Sequence, residues 1–393
     1  VGGGVRDQLI GLSPKDFDVA TDAHPEQVKE VFRRCRLIGR RFRLAHVRVG
    51  PEIIEVATFR MAPRTPDELA ADDDPGDQHL LDDSGRILRD NVYGNLQQDA
   101  YRRDFTINAL YYDISDFSIV DYCGGMEDIR ERRLRLIGDP VTRYREDPVR
   151  MLRALRFSAK LGFNIDPSAR EPFDRLRTTL LEVPPARLFD ELQKMLLNDH
   201  AQACFAALVD EGFLALLLPP VARSLGTDPC AAFIECALSN TEDRVRVDKP
   251  VSPAFLLACL LWYPVQARRE VHLEQGLPPS QALNEAAADV VAEVATKVAI
   301  PRRFSGMVNE IWQLQHRFEF RRGQRPLRLL DHARYRAAWD FLELRSRVGD
   351  ADPALVQWWD EFAIADDETR AQMQEALPPG GGGGRGRRRR RRR

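Results

Sequence analysis

Two short runs of alternating apolar and polar positions stand near the start of the chain. Residues 43–49 and 53–59 alternate with a period of two on either side of a Gly-Pro pair, which predicts a β-hairpin. Residues 25–34 begin with a proline and show the spacing of a short helix. Because strand and helix signals are mixed up to about residue 140, we expect a small mixed sheet flanked by helices there.

Beyond residue 140 the strand signals fade and apolar positions recur at helical spacing. Helices are predicted over residues 149–161, 186–197, 201–217, 254–262 and 281–299. Proline- and glycine-containing breaks separate them, and Tyr263-Pro264 is expected to end the fourth. The helical region also contains four tryptophans that are expected to pack in cores rather than to stack on RNA bases: Trp312, Trp339, Trp358 and Trp359.

The fold class predicted from these patterns is α+β, with a mixed-sheet head followed by an all-α remainder. The length of 393 residues agrees with several folding units. We predict a head over residues 1–140, a helical neck over 141–225, a helical body over 226–370 and a disordered Gly/Arg-rich tail over 371–393. Residues 62–83 contain eight acidic side chains and few large apolar ones, which predicts a solvated, mobile insertion.

Composition narrows the chemistry that the chain can support. With 44% hydrophobic and 30% charged residues, it is globular rather than disordered. Its six cysteines form no C-x-x-C pair and its seven histidines no zinc-binding pattern, so reduced thiols and carboxylate-based metal chemistry are expected. No apolar run approaches the roughly 20 residues that cross a bilayer, and a cytoplasmic protein without a membrane span is expected.

Charge is unevenly distributed along the chain. The formal net charge is −2, yet the last nine residues carry eight arginines, so the remainder is acidic. A compact acidic protein with a polybasic end is expected to bind a polyanion through that end, and RNA is favoured over an acidic protein or a membrane surface. The chain begins with Val1 before a glycine run rather than with Met, which indicates a processed or truncated product.

A glycine turn followed by two closely spaced aspartates is the main chemical signal. Gly2-Gly3-Gly4 allows the backbone to approach a phosphate group closely. Asp16 and Asp18 stand at positions i and i+2, so on a strand both carboxylates point to one face, while Phe17 and Val19 are expected to face the core. Taken singly, a glycine triplet is usually a turn and an Asp-x-Asp a solvated strand end.

A third carboxylate strengthens the signal. Glu55 lies between Ile54 and Val56 on the second hairpin strand and points away from them. Carboxylates so close together repel one another without a cation, and Mg²⁺ binds oxygen ligands while leaving room for phosphates. Three carboxylates beside a phosphate-binding turn therefore predict phosphoryl transfer with two metal ions.

Five motifs together resemble one family. Gly-Gly-x-Val-Arg-Asp at residues 2–7 and Asp-Phe-Asp-Val-Ala-Thr at 16–21 resemble the catalytic head of DNA polymerase β-like nucleotidyltransferases. Residues 102–110, 146–157 and 185–192 resemble further motifs of the class II branch, which bacterial poly(A) polymerases and CCA-adding tRNA nucleotidyltransferases share. The resemblance runs from residue 1 to about 370. It implies that the head over residues 1–140 is catalytic, that the neck over 141–225 carries nucleotide-recognition and RNA-binding helices, and that the body over 226–370 is a C-terminal RNA-binding region.

The resemblance implies roles for individual residues. Asp16, Asp18 and Glu55 are implied to be catalytic and to bind two Mg²⁺ ions, with Mn²⁺ as a substitute. The implied nucleotide-binding residues are Gly3, Gly4, Arg6, Asp7, Arg103, Asp104, Asn108, Asp147, Arg150 and Arg153.

Base choice is expected to depend on Asp147 and Arg150. The two residues are spaced i,i+3 on a helix that Pro148 begins, so they share one face and could read an adenine edge together. The alternative is a surface ion pair worth a few tenths of a kcal/mol. Arg187 and Glu191, spaced i,i+4, are expected to brace the neck helix rather than touch substrate.

Within the branch, the sequence is more similar to the poly(A) polymerases. That similarity rests on residues 38–47, 91–94, 262–264 and 311–315 and on the basic tail. It implies addition of AMP from ATP to RNA 3′ ends with release of pyrophosphate. CCA addition to tRNA is the first alternative, and a non-catalytic RNA-binding protein is the second.

The implied partners are ATP and RNA 3′ ends, not DNA. The resemblance leaves RNA-decay proteins open as a further partner, and a monomer is expected. Family members carry a strand ahead of the glycine turn, whereas this chain starts at the turn. We therefore expect the glycine turn to be supported less firmly here than in other family members.

Overall fold

The computed structural model describes residues 1–14, 16–39, 43–61 and 93–378. The chain divides into two compact units, one of Val1–Leu217 with Lys297–Ala299 and one of Leu218–Thr296 with Ile300–Arg393. The predicted acidic insertion at residues 62–83 and the arginine-rich end beyond residue 378 lie outside the described residues.

A four-stranded mixed sheet lies at the start of the first unit. Its strands, in the spatial order β1-β4-β3-β2, are β1 (Val19–Thr21), β2 (Cys35–Ile38), β3 (Leu44–Val49) and β4 (Glu52–Thr58). The predicted hairpin is confirmed, since β3 and β4 are antiparallel and turn at Gly50, which has a φ of 60°. β1 runs parallel to β4 at the edge of the sheet.

Helices and small strand pairs surround this sheet. In chain order they are α1 (Gly3–Leu9), α2 (Pro25–Val31), α3 (Leu96–Arg102), a 3-10 turn (Thr106–Asn108), β5 (Leu110–Tyr112), β6 (Ile119–Asp121), α4 (Gly125–Arg130), β7 (Arg133–Leu134) and β8 (Asn164–Ile165). The side chains of Phe105, Ile107, Leu110 and Leu134 are fully buried and form the core beneath the 3-10 turn.

The rest of the first unit is helical. Its elements are α5 (Pro140–Glu146), α6 (Val149–Leu161), α7 (Pro167–Arg170), α8 (Phe173–Leu176), a 3-10 turn (Arg177–Glu182), α9 (Pro185–Leu196), α10 (Ala201–Asp210) and α11 (Phe213–Leu217). α6 has the predicted bounds. The single helix predicted over residues 201–217 is wrong, because Gly212 takes a φ of 71° and ends the first of two helices there.

The second unit is all-α in its described residues. Its helices are α12 (Pro219–Ser224), α13 (Cys230–Arg246), α14 (Pro253–Glu274), α15 (Pro279–Ala295), α16 (Arg302–Arg317), α17 (Arg325–Leu330), α18 (Tyr335–Arg347), α19 (Pro353–Ile364) and α20 (Asp367–Glu375). Trp312 and Trp359 are fully buried, and Trp339 and Trp358 pack partly buried against the core, which confirms their expected role. The α+β fold class is confirmed.

Two helix ends in this unit differ from expectation. Pro264 does not end its helix, because α14 continues through it to Glu274. A proline removes one N–H donor, and packing of α14 against α15 and α16 offsets that loss. The predicted start of the tail at residue 371 is also wrong: α20 runs to Glu375, with the Asp366 side chain accepting a hydrogen bond from the Thr369 N–H as an N-cap.

Over the described ranges, every helix is too short or too polar to cross a bilayer.

Candidate active site

A glycine turn opens the site. Gly2 has a φ of 62°, and its N–H donates to the carbonyl oxygen of Leu110 on β5 at 2.8 Å. A Cβ at Gly2 would lie 2.9 Å from Nη1 of Arg103, so a larger residue would displace that guanidinium. α1 follows directly, and Gly2, Gly3 and Arg6 line a cleft. The turn thus brings the chain's first residues to the wall of a cavity.

The two predicted catalytic aspartates lie in the segment that leads into β1. Asp16 and Asp18 are exposed, and the strand begins only at Val19. The expectation that Phe17 and Val19 face the core is wrong, since these side chains are 54% and 44% exposed. Residues 16–18 precede the paired part of the strand, so the alternation that pairing imposes does not extend to them.

Glu55 lies on β4, beside the start of β1. Val19 pairs in parallel register with Val56, so Asp18 and Glu55 each occupy the preceding position on neighbouring chain segments. Glu55 is exposed, as predicted, and its Oε1 lies 3.1 Å from Nε2 of His46 on β3. The sheet register therefore brings the third carboxylate next to the first two.

The carboxylates act on one another electrostatically. Although Asp18 as a whole residue is exposed, the pKa of its carboxyl group is raised, first because neighbouring protein shields that group from part of the solvent and then because Asp16 and Glu55 are nearby. A divalent cation relieves such repulsion and binds carboxylate oxygens, so the donor set suits Mg²⁺ or Mn²⁺. Among the described residues, no three His, Cys, Asp or Glu side chains are already grouped around one metal position. The three carboxylates fit a metal by charge and ligand type rather than by a preformed geometry.

The cleft measures about 660 Å³, within the usual range for small-molecule sites. Seven arginines contribute to its walls: Arg6, Arg60, Arg102, Arg103, Arg150, Arg153 and Arg187. Four aspartates lie among them: Asp18, Asp99, Asp104 and Asp147. Guanidinium groups bind phosphate oxygens in a fixed planar geometry, so this lining suits a ligand with several phosphates.

Asp104 is fixed at the cleft wall by Arg153. Nε of Arg153 donates to Oδ2 of Asp104 at 2.7 Å, and Nδ2 of Asn108 donates to Oδ1 at 3.0 Å. Burial by itself raises the pKa of Asp104, but Arg153, Asn108 and the N–H of Phe105 outweigh it and hold the pKa at about 2. The carboxylate stays ionised and locks the Arg153 side chain, which extends from α6, against residues 104–108.

Arg103 is oriented by a second acidic partner. Its guanidinium donates to Oδ2 of Asp99 at 3.1 Å and to the Tyr111 hydroxyl oxygen at 2.9 Å. The Tyr111 hydroxyl in turn donates to Asp99 at 2.7 Å. Asp99 is buried and was not predicted as a site residue, although its i,i+4 spacing from Arg103 at the end of α3 is a usable signal.

Arg6 and Asp7 belong to a largely buried network. Nε of Arg6 donates to Asp7 at 2.8 Å, and Nη1 of Arg6 donates to Oδ1 of Asn108. Nζ of Lys160, on α6, lies 3.1 Å from Oδ2 of Asp7. Asp7 therefore joins α1 to α6 and does not line the cleft, unlike Arg6.

Asp147 and Arg150 do not share one helix face, contrary to the prediction. Asp147 has an extended backbone (φ −149°, ψ 92°) between α5 and α6, so helical i,i+3 geometry does not apply to it. Arg150 instead donates to Oε2 of Glu146 at 2.9 Å and to the carbonyl oxygen of Arg143 at 2.7 Å. Arg143 also binds the carbonyl oxygens of residues 102 and 103 at 2.7 Å, which fastens α5 to the head.

Asp147 pairs with Arg187 instead. Nη2 of Arg187, on α9, lies 2.6 Å from Oδ2 of Asp147, and both side chains line the cleft. Glu191, which was expected to pair with Arg187, is buried and accepts from Nε of Arg156 at 2.7 Å. The expectation that Arg187 only braces its helix is wrong, whereas Glu191 does join α9 to α6.

Most of the predicted nucleotide-binding residues, and one of the predicted catalytic carboxylates, line the cleft. Those lining it are Gly3, Arg6, Asp18, Arg103, Asp104, Asn108, Asp147, Arg150 and Arg153. Gly4, Asp7, Asp16 and Glu55 lie outside its lining. Gly4 packs close to the backbone of Asp16, where a Cβ would lie 3.3 Å from the Asp16 carbonyl oxygen. Three further residues of the lining were not predicted from the sequence, because nothing local marks them as neighbours of the aspartates: Arg60, Arg102 and Phe157.

Three family models match the chain. Residues 1–135 match the poly A polymerase head domain, and residues 162–225 match a probable RNA and SrmB-binding site of polymerase A. Residues 275–393 match the polymerase A arginine-rich C-terminus. The head match contains the glycine turn and all three carboxylates.

Curated relatives extend the match along the chain. Poly(A) polymerase I of Escherichia coli O6:H1 is 47% identical over 377 residues, which are 93% of this chain and 78% of the relative. The CCA-adding enzyme of Lactobacillus helveticus is 34% identical over 210 residues, which are 53% of this chain and 48% of the relative. The similarity to the poly(A) polymerase thus includes the second unit, whereas that to the CCA-adding enzyme covers about half of the chain.

A solved structure supports the fold. The Bacillus stearothermophilus CCA-adding enzyme in complex with CTP superposes with a TM-score of 0.59 at 22% identity, covering 97% of this chain and 84% of that one. Since the fold, the family models and the near-full-length identity agree, the chain belongs to the poly(A) polymerase family of nucleotidyltransferases.

Proposed function

We propose that this protein adds AMP from ATP to RNA 3′ ends without a template. One observation carries the proposal. Asp18, which has two further carboxylates beside it, lines the same cleft as seven arginines. The name of the E. coli relative, poly(A) polymerase I, supports AMP as the transferred group.

The reaction is a single displacement at phosphorus. The RNA 3′-oxygen forms a bond to the α-phosphorus of ATP, and the bond from that phosphorus to the oxygen bridging the β-phosphate breaks. Pyrophosphate leaves with that oxygen, and the hydroxyl proton passes to solvent. In such a reaction the protein contributes mainly positioning and charge stabilisation.

Asp16, Asp18 and Glu55 are proposed to hold two divalent ions, Mg²⁺ or Mn²⁺. When bound there, such ions lower the pKa of the 3′-hydroxyl and neutralise charge on the triphosphate. The raised pKa of Asp18 supports this assignment, because shielding from water and the nearby Asp16 and Glu55 both disfavour its charged form, and a bound cation offsets both effects. Of the three carboxylates, Asp18 is the one that lines the cleft and so faces a bound nucleotide.

The triphosphate is proposed to bind between the glycine turn and Arg103. The missing side chain at Gly2 leaves the Arg103 guanidinium next to the backbone, and Asp99 and Tyr111 keep that guanidinium in place. A preorganised guanidinium loses little rotamer freedom when it binds phosphate. Arg6 adds a second positive charge on the same wall.

Adenine is proposed to contact the pair formed by Asp147 and Arg187. The Watson–Crick edge of adenine offers an amino donor and a ring-nitrogen acceptor, which a carboxylate and a guanidinium complement. Because Arg187 holds Asp147, the two groups face the cleft as one unit. Arg150, fixed by Glu146, also lines the cleft.

An incorporation assay tests the proposal. Unstructured RNA and tRNA lacking its CCA end are each incubated with the protein, Mg²⁺ and one of the four nucleotides. We expect AMP incorporation into both RNAs, with loss of activity in Asp16→Ala. Addition of CMP to the tRNA as the main product would instead establish CCA addition, and activity of Asp16→Ala equal to wild type would contradict the metal assignment.

A further inference from the structure

Phe157 lies on α6 at the wall of the cleft, and the proposed transfer of AMP gives it no role. The residue is 7% exposed. The fully buried ring of Phe105 meets the Phe157 ring edge to face, with the two ring centroids 5.7 Å apart. Because this packing fixes the Phe157 ring, groups that lie over the ring have a fixed support.

Three guanidinium groups lie over this one ring. The Cζ atoms of Arg6, Arg153 and Arg156 are 5.1, 5.2 and 4.5 Å from its centroid. A cation over an aromatic face is attracted by the electron density of the ring, and the attraction is stronger away from water. It offsets part of the repulsion between three like charges that are gathered in a small volume.

Two of these arginines, Arg6 and Arg153, line the cleft, and a carboxylate holds each of them at its edge. Nε of Arg6 donates to Asp7 at 2.8 Å, and Nε of Arg153 donates to Asp104 at 2.7 Å. A planar guanidinium that is hydrogen-bonded at its edge and lies over a ring has little freedom to rotate. The ring and the carboxylates thus orient two positive charges that extend from different helices, α1 and α6.

We propose that Phe157 is a positioning residue for ATP, because its ring holds the guanidiniums of Arg6 and Arg153 together at the cleft wall for the triphosphate. Phosphate oxygens match guanidinium N–H groups in charge and geometry, so a ligand with several phosphates gains affinity from arginines that are already oriented. The inference rests on the proposed function, which supplies ATP as the ligand. Phe157 acts through the two arginines and not on the reacting atoms.

The test has to separate loss of the ring from loss of packing. Phe157→Leu removes the ring but also leaves a gap beside Phe105, so weaker ATP binding would have two explanations. Mono-, di- and trifluorinated phenylalanine at position 157 avoid this ambiguity, because fluorine withdraws electron density from the ring face and changes the ring volume little. The attraction of a cation falls in steps along this series, whereas packing stays nearly constant.

Calorimetric titration of the full chain with ATP, in the presence of Mg²⁺ and without RNA, measures the effect. We expect ATP affinity to fall in steps along the series, until it is about fivefold weaker with the trifluorinated ring. Inorganic tripolyphosphate should lose affinity by the same factor, because the two arginines are proposed to bind phosphates. An ATP affinity that does not depend on fluorination, or a loss that tripolyphosphate does not share, would overturn the proposal.

Phe163 provides the matched control. It is 5% exposed, lies just beyond the end of α6 and, among the described residues, has no guanidinium over its ring. A trifluorinated ring at position 163 should leave both affinities unchanged, and the urea midpoints of the two trifluorinated proteins should be similar. An equal loss of ATP affinity in both proteins would show that fluorination acts through the fold, and Phe157 would then have no positioning role.

The titration also separates this inference from the proposed function. If ATP affinity followed the fluorine series while no AMP was incorporated into RNA, the proposed function would fail and the positioning role would stand. If AMP was incorporated while fluorination changed neither affinity, the reverse would hold. Wild-type protein that bound neither ATP nor tripolyphosphate would contradict both.

Discussion

Asp147 is bonded to Arg187, forty residues farther along the chain, with Nη2 of Arg187 2.6 Å from Oδ2 of Asp147. Arg150, only three residues away, is bonded to Glu146 instead. The pair therefore joins the start of α6 to the start of α9 across the cleft. Under the proposed function, base choice depends on this contact between two helices rather than on one helix face.

Removal of Arg187 is expected to reduce discrimination between nucleotides. Arg187→Ala leaves the Asp147 carboxylate, which is 21% exposed, without its cation. A bidentate contact to a base contributes roughly 1–3 kcal/mol, so the ratio of kcat/KM for ATP to that for CTP should fall by about tenfold. Steady-state kinetics of incorporation with ATP and with CTP measure this ratio.

Lys194→Ala provides the control for that experiment. Lys194 extends from the same helix, is 59% exposed and does not line the cleft. Its removal should leave the ratio unchanged. An ATP-to-CTP ratio in Arg187→Ala equal to that of wild type would show that the Asp147–Arg187 pair does not read the base.

The glycine turn can be tested with two matched alanines. Gly2→Ala and Gly11→Ala both place a side chain at positive φ, 62° and 78°, so both should lose about 1 kcal/mol of folding free energy. A Cβ at Gly2 lies 2.9 Å from Nη1 of Arg103, whereas one at Gly11 meets nothing within 4 Å. We therefore expect Gly2→Ala alone to raise KM for ATP, by about tenfold or more.

Denaturant unfolding and steady-state kinetics of both variants make this comparison. If Gly11→Ala raised KM as much as Gly2→Ala, general destabilisation would explain the effect. Placement of Arg103 beside the glycine turn would then have no special part in ATP binding.

Stability at acid pH should depend on Asp104. Its pKa is held at about 2, below the ordinary value of 3.8, so the folded state binds a proton there less readily than the unfolded state. The resulting stabilisation is complete above pH 3.8 and is lost as the pH falls towards 2, with a total of about 2 kcal/mol. Asp104→Asn should therefore be less stable than wild type at pH 6, with a difference that shrinks below pH 4.

Urea unfolding at a series of pH values measures that difference. Asp367→Asn is the comparison, because the Asp367 side chain is fully exposed and its removal should change stability little at any pH. A difference between Asp104→Asn and wild type that stays constant from pH 6 to pH 3 would contradict the assigned pKa.

Local patterns predicted the framework of the head. The hairpin of β3 and β4 follows from alternation around Gly50, and the exposed position of Glu55 follows from its apolar neighbours on the strand. Residues 16–18 did not follow the same rule, because strand pairing starts only at Val19. Alternation predicts side-chain direction where a neighbouring strand enforces it.

Long-range partners explain the remaining differences. Spacing along the helix suggested Glu191, four residues away, as the partner of Arg187, but the approach of α9 to Asp147 decided its actual partner. Arg150 does bind a residue four positions away, Glu146, yet the break between α5 and α6 separates it from Asp147. Pro264 likewise suggested a helix end that packing in the second unit overrides. Such outcomes depend on contacts between elements, which local sequence does not contain.

Substitution of Asp18 tests most directly whether the three neighbouring carboxylates carry nucleotide transfer. Single-nucleotide incorporation from ATP into a 5′-labelled RNA with Mg²⁺ is compared between wild type, Asp18→Asn and Asp22→Asn, an exposed aspartate just after β1. We predict that Asp18→Asn lowers the rate by roughly a hundredfold or more while Asp22→Asn retains it. Equal rates in Asp18→Asn and wild type would contradict the account.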